Sequence, residues 1–499
     1  MEKGTAPEEQ ANSDTTQLGP PYSIFSPAQK RLIVLIVALT TLLPPLTASI
    51  FYPVIPLLAR ELHVSITDIN LTITIYLIVQ GIAPSLVGNL SDECGRRPAL
   101  LVAYIVYIAG SIGAAVGTTY GVLFGMRALQ SAGGSGTIAL SLATVSDIVT
   151  SAERGTYTSY VQMGWMLGPS LAPVIGGLLA QFLNWHAIFW FLTIYAASIW
   201  TISLVFLPET SRNMVGNGSI PPPWWNRTLY SYIQHAVKPS QDLGSDAQDT
   251  KPMSKRQNIN PLKSLKLFRD KETCILLIYS GLVYASTYLV LSTLSDQLQE
   301  KYGFNTIQVS LSFLASGFGT VTSVLLTGRI LDWNFRRQAR LVGLEISKQK
   351  QQDLSSFPIE IARLQSSIPA LTLSGVSLVA YGWTLQSKTN LAAPLIFLFL
   401  QSFGSASAFS GLNNLLMDLN RDRPGTASAA MNLTRCWFGA AGTAFASPLV
   451  KKGGIGWLGV VIPGIWLFFS PILFMVIRYG PRWREEKRIK AKKDTPAAT

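Results

Sequence analysis

The chain has 499 residues, of which 48% are hydrophobic and only 13% are charged. Soluble domains carry about 25% charged residues, so this composition excludes an ordinary soluble multidomain protein and indicates a membrane protein. The formal net charge is +13, but the basic residues lie in breaks between apolar blocks and do not indicate nucleic-acid binding. The three cysteines are far apart and the three histidines are isolated, so we expect no metal site and no cofactor.

Twelve apolar blocks are long enough to cross a bilayer, which takes about 20 residues in a helix. Because the blocks are continuously apolar rather than alternating, they predict helices and not a β-barrel. The sequence therefore predicts an all-α integral membrane protein with 12 transmembrane helices, called spans 1 to 12 here. The spans cover about 32–55, 69–90, 99–118, 121–146, 156–181, 187–207, 273–295, 307–331, 367–386, 391–417, 426–449 and 455–477.

The basic residues are divided unequally between the two sides of the membrane. With the N-terminus in the cytosol, the external loops hold five: Arg60, Lys301, Lys388, Lys451 and Lys452. Two more, Arg127 and Arg435, lie inside spans, which leaves 33 of the 40 lysines and arginines on the cytosolic side. The positive-inside rule therefore predicts that both termini are cytosolic.

The longest polar break follows six spans and precedes six more, so it predicts two halves joined by a linker. We predict a cytosolic tail at 1–30, an N-terminal six-helix half at 31–207 and a cytosolic linker at 208–272. A C-terminal six-helix half at 273–477 and a basic cytosolic tail at 478–499 follow.

A charged sequence between spans 2 and 3 is repeated between spans 8 and 9. GNLSDECGRR begins at residue 88 and GRILDWNFRR begins at residue 328, with glycine, aspartate and two arginines at the same spacing. A second match starts at the aspartates that end spans 4 and 10, because a run of small residues begins 21 residues after each, at Gly168 and Gly439. Repeated halves predict a duplicated transporter that binds its substrate between them.

At these residues the chain resembles the major facilitator superfamily, whose signature loop between spans 2 and 3 has the form G-x-L-x-D-x-x-G-R-R. The resemblance extends from about residue 30 to residue 480 and implies a transporter that is not an enzyme. It also implies a cytosolic latch between the halves that breaks during transport; the alternative is that these charges only set the topology. The latch residues would be Gly88, Asp92, Gly95, Arg96 and Arg97, with Asp332, Arg336 and Arg337 in the second half.

Two arginines lie within spans, where a charge at the bilayer centre costs about 2.5–3.5 kcal/mol on insertion scales. Arg127 and Gln130 are similar to the family's span 4 motif R-x-x-Q-G, with Ser131 in place of the glycine. That resemblance implies a role in proton coupling; the alternative is that Arg127 reaches toward the membrane surface. Arg435, in span 11, is open to two interpretations: contact with an anionic substrate, or capping of carbonyls at the end of its helix.

Span 5 contains GPSLAPVIGG, which resembles the antiporter signature G-x-x-x-G-P-x-x-G-G of the family's exporters. The matching or inserted residues are Gly168, Pro169, Ala172, Pro173, Gly176 and Gly177, with alanine at the central glycine. Small residues four apart let helices approach closely, so ordinary helix packing is the alternative explanation. The resemblance implies export.

Two further motifs are similar to those of the fungal branch of twelve-span drug:proton antiporters. P-V-I-P ends span 1 at residues 53–56, and P-E-T follows span 6 at residues 208–210. That branch includes quinidine-resistance-type drug exporters, exporters of fungal secondary metabolites and exporters of citrate-like acids. It implies a plasma-membrane location, with the vacuolar membrane as the alternative.

We therefore predict a monomeric, proton-coupled exporter of amphipathic organic molecules such as drugs, toxins or secondary metabolites. The apolar Trp165 in span 5 favours such a substrate, whereas the two intramembrane arginines favour the alternative, small citrate-like carboxylates. No aspartate or glutamate lies deep in a span, so the proton carrier is either an acid at a helix end or the substrate itself. The remaining candidates for cavity residues, each equally compatible with helix packing, are Tyr284, Tyr288, Asn413 and Asn414.

Overall fold

The computed structural model describes residues 23–149, 154–223, 226–228, 267–343, 357–420 and 424–494, and helix is the only regular secondary structure in these ranges. Most of the predicted N-terminal tail and linker, and the end of the predicted basic tail, lie outside the described residues.

The N-terminal half consists of spans 1 to 6. Their helices are Pro27–Ser49, Ile66–Cys94, Arg96–Val116, the pair Tyr120–Gly134 and Thr137–Ile148, Arg154–Phe182, and His186–Phe206. A 3₁₀ turn and a short helix, Tyr52–Val54 and Ile55–Glu61, connect spans 1 and 2. A one-turn helix, Arg212–Val215, follows span 6. Side-chain caps at Ser26 and Ser65 fix where spans 1 and 2 begin, because each serine accepts a hydrogen bond from a backbone N–H of the first helical turn.

The C-terminal half begins with a 3₁₀ turn, Leu267–Arg269. Spans 7 to 10 are Lys271–Tyr302, Thr306–Val342, Ile359–Gln386 and Ala392–Leu419, and spans 11 and 12 lie in Pro424–Asp494. Gly454 divides that last segment with a non-helical φ of 78° and ψ of 167°.

Ten helices in the described part of the chain are long and apolar enough to cross a membrane. One of them, Thr426–Glu486, contains Gly454 and so includes two of the predicted spans. Span 4 is not among the ten because a turn at Ser135 and Gly136 divides its helix into two short pieces. Counting the divided helix twice and adding span 4 gives twelve segments, the number that the sequence predicts.

Two breaks between spans are shorter than the sequence predicts. Spans 2 and 3 are separated by the single residue Gly95, whose φ of 100° ends one helix and starts the next. Span 8 continues to Val342, eleven residues beyond its predicted end at residue 331. Asp332, Arg336 and Arg337 therefore lie on the helix of span 8 and not in the loop that the sequence predicts.

A group of contacts joins the two halves near one end of the bundle. We call the face where span 6 ends and span 7 begins the linker face, and the other the opposite face. Near the opposite face, the rings of Tyr52 and Phe313 stack with their centroids 6.1 Å apart. Ser295 Oγ donates to the Tyr52 carbonyl oxygen at 2.6 Å, and Asn70 Nδ2 donates to Ser447 Oγ at 3.0 Å. These contacts join spans 1 and 2 to spans 7, 8 and 11 and close the interface at this face.

Candidate functional site

A cavity of about 480 Å³ lies between the two halves. Spans 1, 2 and 5 line one side, and spans 7, 8, 10 and 11 line the other. The stacked rings of Tyr52 and Phe313 form its end at the opposite face, while Leu331 and Asn414 extend its lining toward the linker face. This position, between the halves and near the middle of the spans, is where duplicated transporters bind substrate.

Arg435 is the only charged side chain among the described residues that line the cavity. The residue is only 6% exposed. Its Nη2 donates to Asn432 Oδ1 at 2.8 Å and its Nη1 donates to Tyr284 Oη at 3.2 Å. The guanidinium also lies 4.8 Å from the ring centroid of Tyr284 and 5.4 Å from that of Trp165, so it contacts aromatic faces from both halves.

Both halves contribute apolar and polar groups to the cavity. The lining from the N-terminal half has apolar surface at Pro45, Ala48, Trp165, Pro169 and Pro173 and polar groups at Ser49, Tyr52, Gln80 and Gln162. The lining from the C-terminal half carries hydroxyl groups at Ser316, Thr320, Thr327, Ser402 and Ser405.

The hydroxyl groups of spans 8 and 10 form a hydrogen-bonded series. Ser316 Oγ and Ser402 Oγ are 2.7 Å apart, and Thr327 Oγ1 donates to Ser407 Oγ at 2.8 Å. Gln401 Nε2 donates to Ser405 Oγ at 3.0 Å and continues the series within span 10. Sequence analysis missed this polar wall because isolated serines and threonines give no charge signal within an apolar span.

The aromatic and amide residues that sequence analysis put forward do lie at the cavity. Trp165, Tyr284, Tyr288, Asn413 and Asn414 all line it. The rings of Tyr284 and Tyr288 lie 5.0 Å apart and form part of the wall from span 7.

Arg127 lies behind the cavity lining, in the interior of the N-terminal half. It is fully buried and its guanidinium lies between the rings of Phe51 and Tyr76, 4.8 and 4.4 Å from their centroids. Its Nη1 donates to Gln130 Oε1 at 2.8 Å and to the Thr47 carbonyl oxygen at 3.3 Å. The structure thus brings the two span 4 residues, Arg127 and Gln130, into direct contact with each other and with spans 1 and 2.

The span 5 motif packs in three directions. A side chain at Gly168 would meet Pro45 of span 1 at 2.7 Å, and one at Gly176 would meet the Ile50 carbonyl oxygen. Gly177 faces Ser310 of span 8 in the other half. Ala172 is fully buried, and Pro169 and Pro173 line the cavity. The small residues therefore allow span 5 to contact span 1 and span 8 closely, as such residues do between membrane helices.

The charged residues between spans 2 and 3 form a cluster within the N-terminal half at the linker face. Arg96 binds two carboxylates, with Nη1 2.9 Å from Asp92 Oδ1 and Nε 3.1 Å from Asp147 Oδ2. Arg97 is 3% exposed and donates from Nη2 to the Leu204 carbonyl oxygen of span 6 at 2.9 Å. Gly88, at the start of the motif, has open space where a Cβ would be.

Glu209, just after span 6, completes this cluster and was missed by sequence analysis. Its carboxylate accepts hydrogen bonds from the backbone N–H of Arg96 at 2.9 Å and of Arg97 at 3.2 Å, which are the first residues of span 3. It also accepts from Asn226 Nδ2 at 2.6 Å, so it fastens part of the linker to the half. The P-E-T motif at residues 208–210 was the available signal, since a carboxylate is the group that stabilises a helix N-terminus.

The corresponding residues of the C-terminal half do not form the same cluster. Arg336 Nε donates to the backbone carbonyl of Asp332 at 3.3 Å, and Arg337 lies 5.7 Å from the ring centroid of Trp333. Instead, Arg363 of span 9 binds the aspartate that ends span 10, with Nε 2.9 Å from Asp418 Oδ2. Each half therefore holds an arginine–aspartate pair at the linker face, but only in the first half does the arginine come from the repeated motif.

Comparisons with known proteins agree with this architecture. The family model described as the Major Facilitator Superfamily matches residues 37–347. "MFS-type transporter phiD" of a fungal species is 42% identical over 475 residues, covering 95% of this chain and 72% of the relative. "Citrate exporter 1" of Aspergillus niger is 33% identical over 483 residues, covering 95% of this chain and 90% of the relative. The crystal structure of the human organic anion transporter MFSD10 (TETRAN) superimposes with a TM-score of 0.59 at 19% identity, covering 90% of this chain and all of that one.

Proposed function

This chain belongs to the Major Facilitator Superfamily and is a multi-pass membrane transporter, and from that premise we propose that it is a proton-coupled exporter of amphipathic organic molecules. The observation that carries the proposal is the cavity of about 480 Å³ between the halves, whose lining combines apolar surface at Trp165, Pro169 and Pro173 with the hydroxyl groups of spans 8 and 10. Drug-sized ligands occupy pockets of roughly 300–1,000 Å³ lined by apolar groups and a few placed polar groups.

The closure of the interface at the opposite face supports alternating access. With Tyr52 stacked on Phe313 and Ser295 bonded to the Tyr52 carbonyl, the cavity has no path to the opposite face through these residues. A transporter of this architecture reaches its other state by rocking one half against the other around the binding site. We propose that the linker face is cytosolic, as the distribution of basic residues predicts, so the cavity described here would load substrate from the cytosol.

The span 5 packing supports export by antiport. Gly168 and Gly176 hold span 5 against span 1, and Gly177 holds it against span 8 of the other half. We propose that this contact seals the cavity against ion leak while the halves rock. The resemblance of the motif to the exporters' antiporter signature points the same way.

Proton coupling rests on Arg127 and its surroundings. A fully buried guanidinium held between two rings and bonded to Gln130 is costly, and ionisable residues within membranes usually serve ion or proton movement. Because the described lining of the cavity contains no carboxylate, we propose that the proton is carried either by a helix-end acid such as Asp147 or by the substrate.

We propose that the cluster of Asp92, Arg96, Asp147 and Glu209 acts as the gate at the linker face. In the conformation described here its bonds lie within the N-terminal half. When the halves close at this face, the same charges would meet the second half, where Arg336 and Arg337 are exposed on span 8. We also propose that the protein acts as a monomer and lies in the plasma membrane, with the vacuolar membrane as the alternative.

A second candidate function is export of small organic acids. Arg435 supplies one cation to the cavity, and a relative with 33% identity is named as a citrate exporter. A citrate-like acid carries several negative charges, and the described lining offers one cation for them. The apolar wall formed by Trp165, Pro169 and Pro173 favours the amphipathic substrate.

The test is proton movement in proteoliposomes that hold the full-length chain and a lumenal pH dye. Under an imposed pH gradient, rhodamine 6G, 11-(dansylamino)undecanoate and citrate would be added to separate batches, with protein-free liposomes as the control. Substrate-dependent proton movement with either amphipathic compound, the cation or the acid, supports the proposal. Movement with citrate alone would replace it with the second candidate, and an uptake of any of the three compounds that ignores the pH gradient would contradict proton coupling.

A further inference from the structure

The charge of the cavity is concentrated in one buried group. Arg435 is the only charged side chain in the described lining, and its Nε has no hydrogen-bond partner among the described residues. Its two terminal nitrogens bind neutral oxygens, those of Asn432 and Tyr284. A buried cation without a counter-ion is unfavourable unless a ligand supplies the negative charge.

The surroundings of Arg435 fix its position from both halves. Trp165 of span 5 and Tyr284 of span 7 place aromatic rings 5.4 and 4.8 Å from the guanidinium. Asn432, which accepts from Arg435, donates in turn to the Gln80 carbonyl oxygen of span 2 at 3.1 Å. The guanidinium therefore lies where the two halves meet, so a molecule bound to it would contact both halves.

We propose that Arg435 binds the carboxylate of an amphipathic acid, an inference that rests on the proposed export function and names its substrate class. The apolar body of the acid lies against Trp165, Pro169 and Pro173. Any polar group on that body faces the hydroxyl groups of spans 8 and 10, represented by Ser316 and Ser402. Arginine suits this role because its planar guanidinium pairs with a carboxylate through two parallel hydrogen bonds.

The same geometry disfavours other substrates. A cationic amphiphile would meet Arg435 with no carboxylate in the described lining to balance the charge. A small polyanion would leave most of its charge beside the apolar wall, where desolvation is costly. One cation beside apolar surface and hydroxyl groups thus selects one negative charge on a largely apolar body.

The experiment measures binding of a matched pair of fluorescent probes to the full-length chain in nanodiscs of zwitterionic lipid. The acid probe is 11-(dansylamino)undecanoate and the control probe is its methyl ester, which keeps the apolar body and removes the charge. Both are titrated at neutral pH without a proton gradient, with empty nanodiscs as the blank. We expect the unmodified chain to bind the acid more tightly than the ester by about tenfold or more. Equal affinities for the two probes would overturn the proposal without any variant.

Three variants locate the charge selectivity. Arg435→Gln should weaken acid binding by about tenfold to a hundredfold while ester binding changes by about twofold or less. Arg435→Lys, which keeps the charge, should retain part of the preference for the acid. Lys388→Gln removes an exposed cation in the loop between spans 9 and 10 and should change neither affinity.

Ester binding also reports whether Arg435→Gln still folds. If Arg435→Gln binds neither probe, the proposal is tested with Arg435→Lys. A preference of the lysine variant for the acid over the ester supports the carboxylate site. Loss of that preference while ester binding is intact contradicts it. Acid binding that survives in the glutamine variant would also contradict the proposal. The experiment separates this inference from the proposed export function. Selective acid binding without proton-coupled flux would contradict the export function alone. Proton-coupled flux with equal affinities for the two probes would contradict this inference alone.

Discussion

The two halves use similar charges at the linker face in different ways. In the first half, Gly95 ends the helix of span 2 and precedes that of span 3. The Glu209 carboxylate caps the helix of span 3 by accepting hydrogen bonds from the backbone N–H groups of Arg96 and Arg97. In the second half Phe335 stands at the position that corresponds to Gly95, and the helix continues to Val342. A residue that adopts positive φ without strain therefore decides whether the repeated charges become a bridging cluster or remain on one exposed helix face.

The segment that follows the sixth span of each half is attached to its half by a charged side chain, which is negative in the first half and positive in the second. After span 6, the Glu209 carboxylate binds the start of span 3. In the extension after span 12, Arg484 binds Glu360 at the start of span 9, with Nε 2.7 Å from Oε1. In each half the segment after the sixth span therefore binds the start of the third span, but the carboxylate lies on that segment in the first half and at the helix start in the second.

The two intramembrane arginines extend the comparison. Arg127 lies inside the first half, behind the cavity, whereas Arg435 of the second half lines it. If this difference reflects separate roles, Arg127→Ala should reduce proton-driven flux to the background level while the binding of 11-(dansylamino)undecanoate remains, because the substrate wall is intact. Flux in proteoliposomes and binding in nanodiscs would be measured on the same preparation, with Arg60→Ala as a control cation outside the spans. Undiminished flux would remove Arg127 from the coupling mechanism.

The next largest effect should follow from removing the helix-capping carboxylate. Glu209 is 3% exposed, and Glu209→Ala would leave the N–H groups at the start of span 3 and the Asn226 amide without their acceptor. We expect a loss of at least about 3 kcal/mol of stability, since each buried group left unsatisfied costs about 1–3 kcal/mol.

Glu360→Ala is the matched variant in the other half. It should cost less, because Arg484 is partly exposed and can reach water once its partner is gone. The temperature at which half of the protein leaves the monodisperse peak in size-exclusion chromatography would compare the two. Equal losses of thermal stability in the two variants would show that Glu209 and Glu360 stabilise their halves equally.

A glycine pair tests the helix break itself. Gly95→Ala would force alanine to φ near 100° and place its Cβ against the Glu209 carboxylate, at an expected cost of about 2 kcal/mol. Gly88→Ala, seven residues earlier in the same motif, enters a helix with open space and should be neutral or stabilising by up to about 1 kcal/mol. Thermal stability in detergent would distinguish them, and a harmless Gly95→Ala would mean that the break does not depend on positive φ.

The smallest expected effect concerns the proposed gate. Asp92→Asn removes one of the two carboxylates of Arg96, both partly exposed, and should shift the balance of open and closed states by about twofold to fivefold. The rate at which a maleimide reagent that does not cross membranes labels Asn414→Cys in the cavity would report the shift, in a background where Cys94, Cys274 and Cys436 are serine. Asp332→Asn, on the exposed face of span 8, should leave the rate unchanged. A larger change from Asp332→Asn would locate the gate in the second half instead.

The sequence determined the class of fold because the bilayer leaves little choice. Long apolar blocks must be helices that satisfy their own backbone groups, and the repeated spacing of Asp92 and Arg96 with Asp332 and Arg336 showed two related halves. It also identified Arg127, Arg435, Trp165 and the span 5 glycines, because charges and small-residue runs stand out within apolar sequence.

Only the tertiary structure decided which of these residues share a site. Sequence spacing cannot say which face of a helix meets the cavity, so it could not show that Arg127 lies behind the cavity wall and that Arg435 lies on it. The Glu209 cap, the Arg363–Asp418 pair and the hydroxyl wall join residues far apart in the chain through ordinary polar groups. Such contacts depend on distances set by helix packing, and packing is a property of the folded chain as a whole.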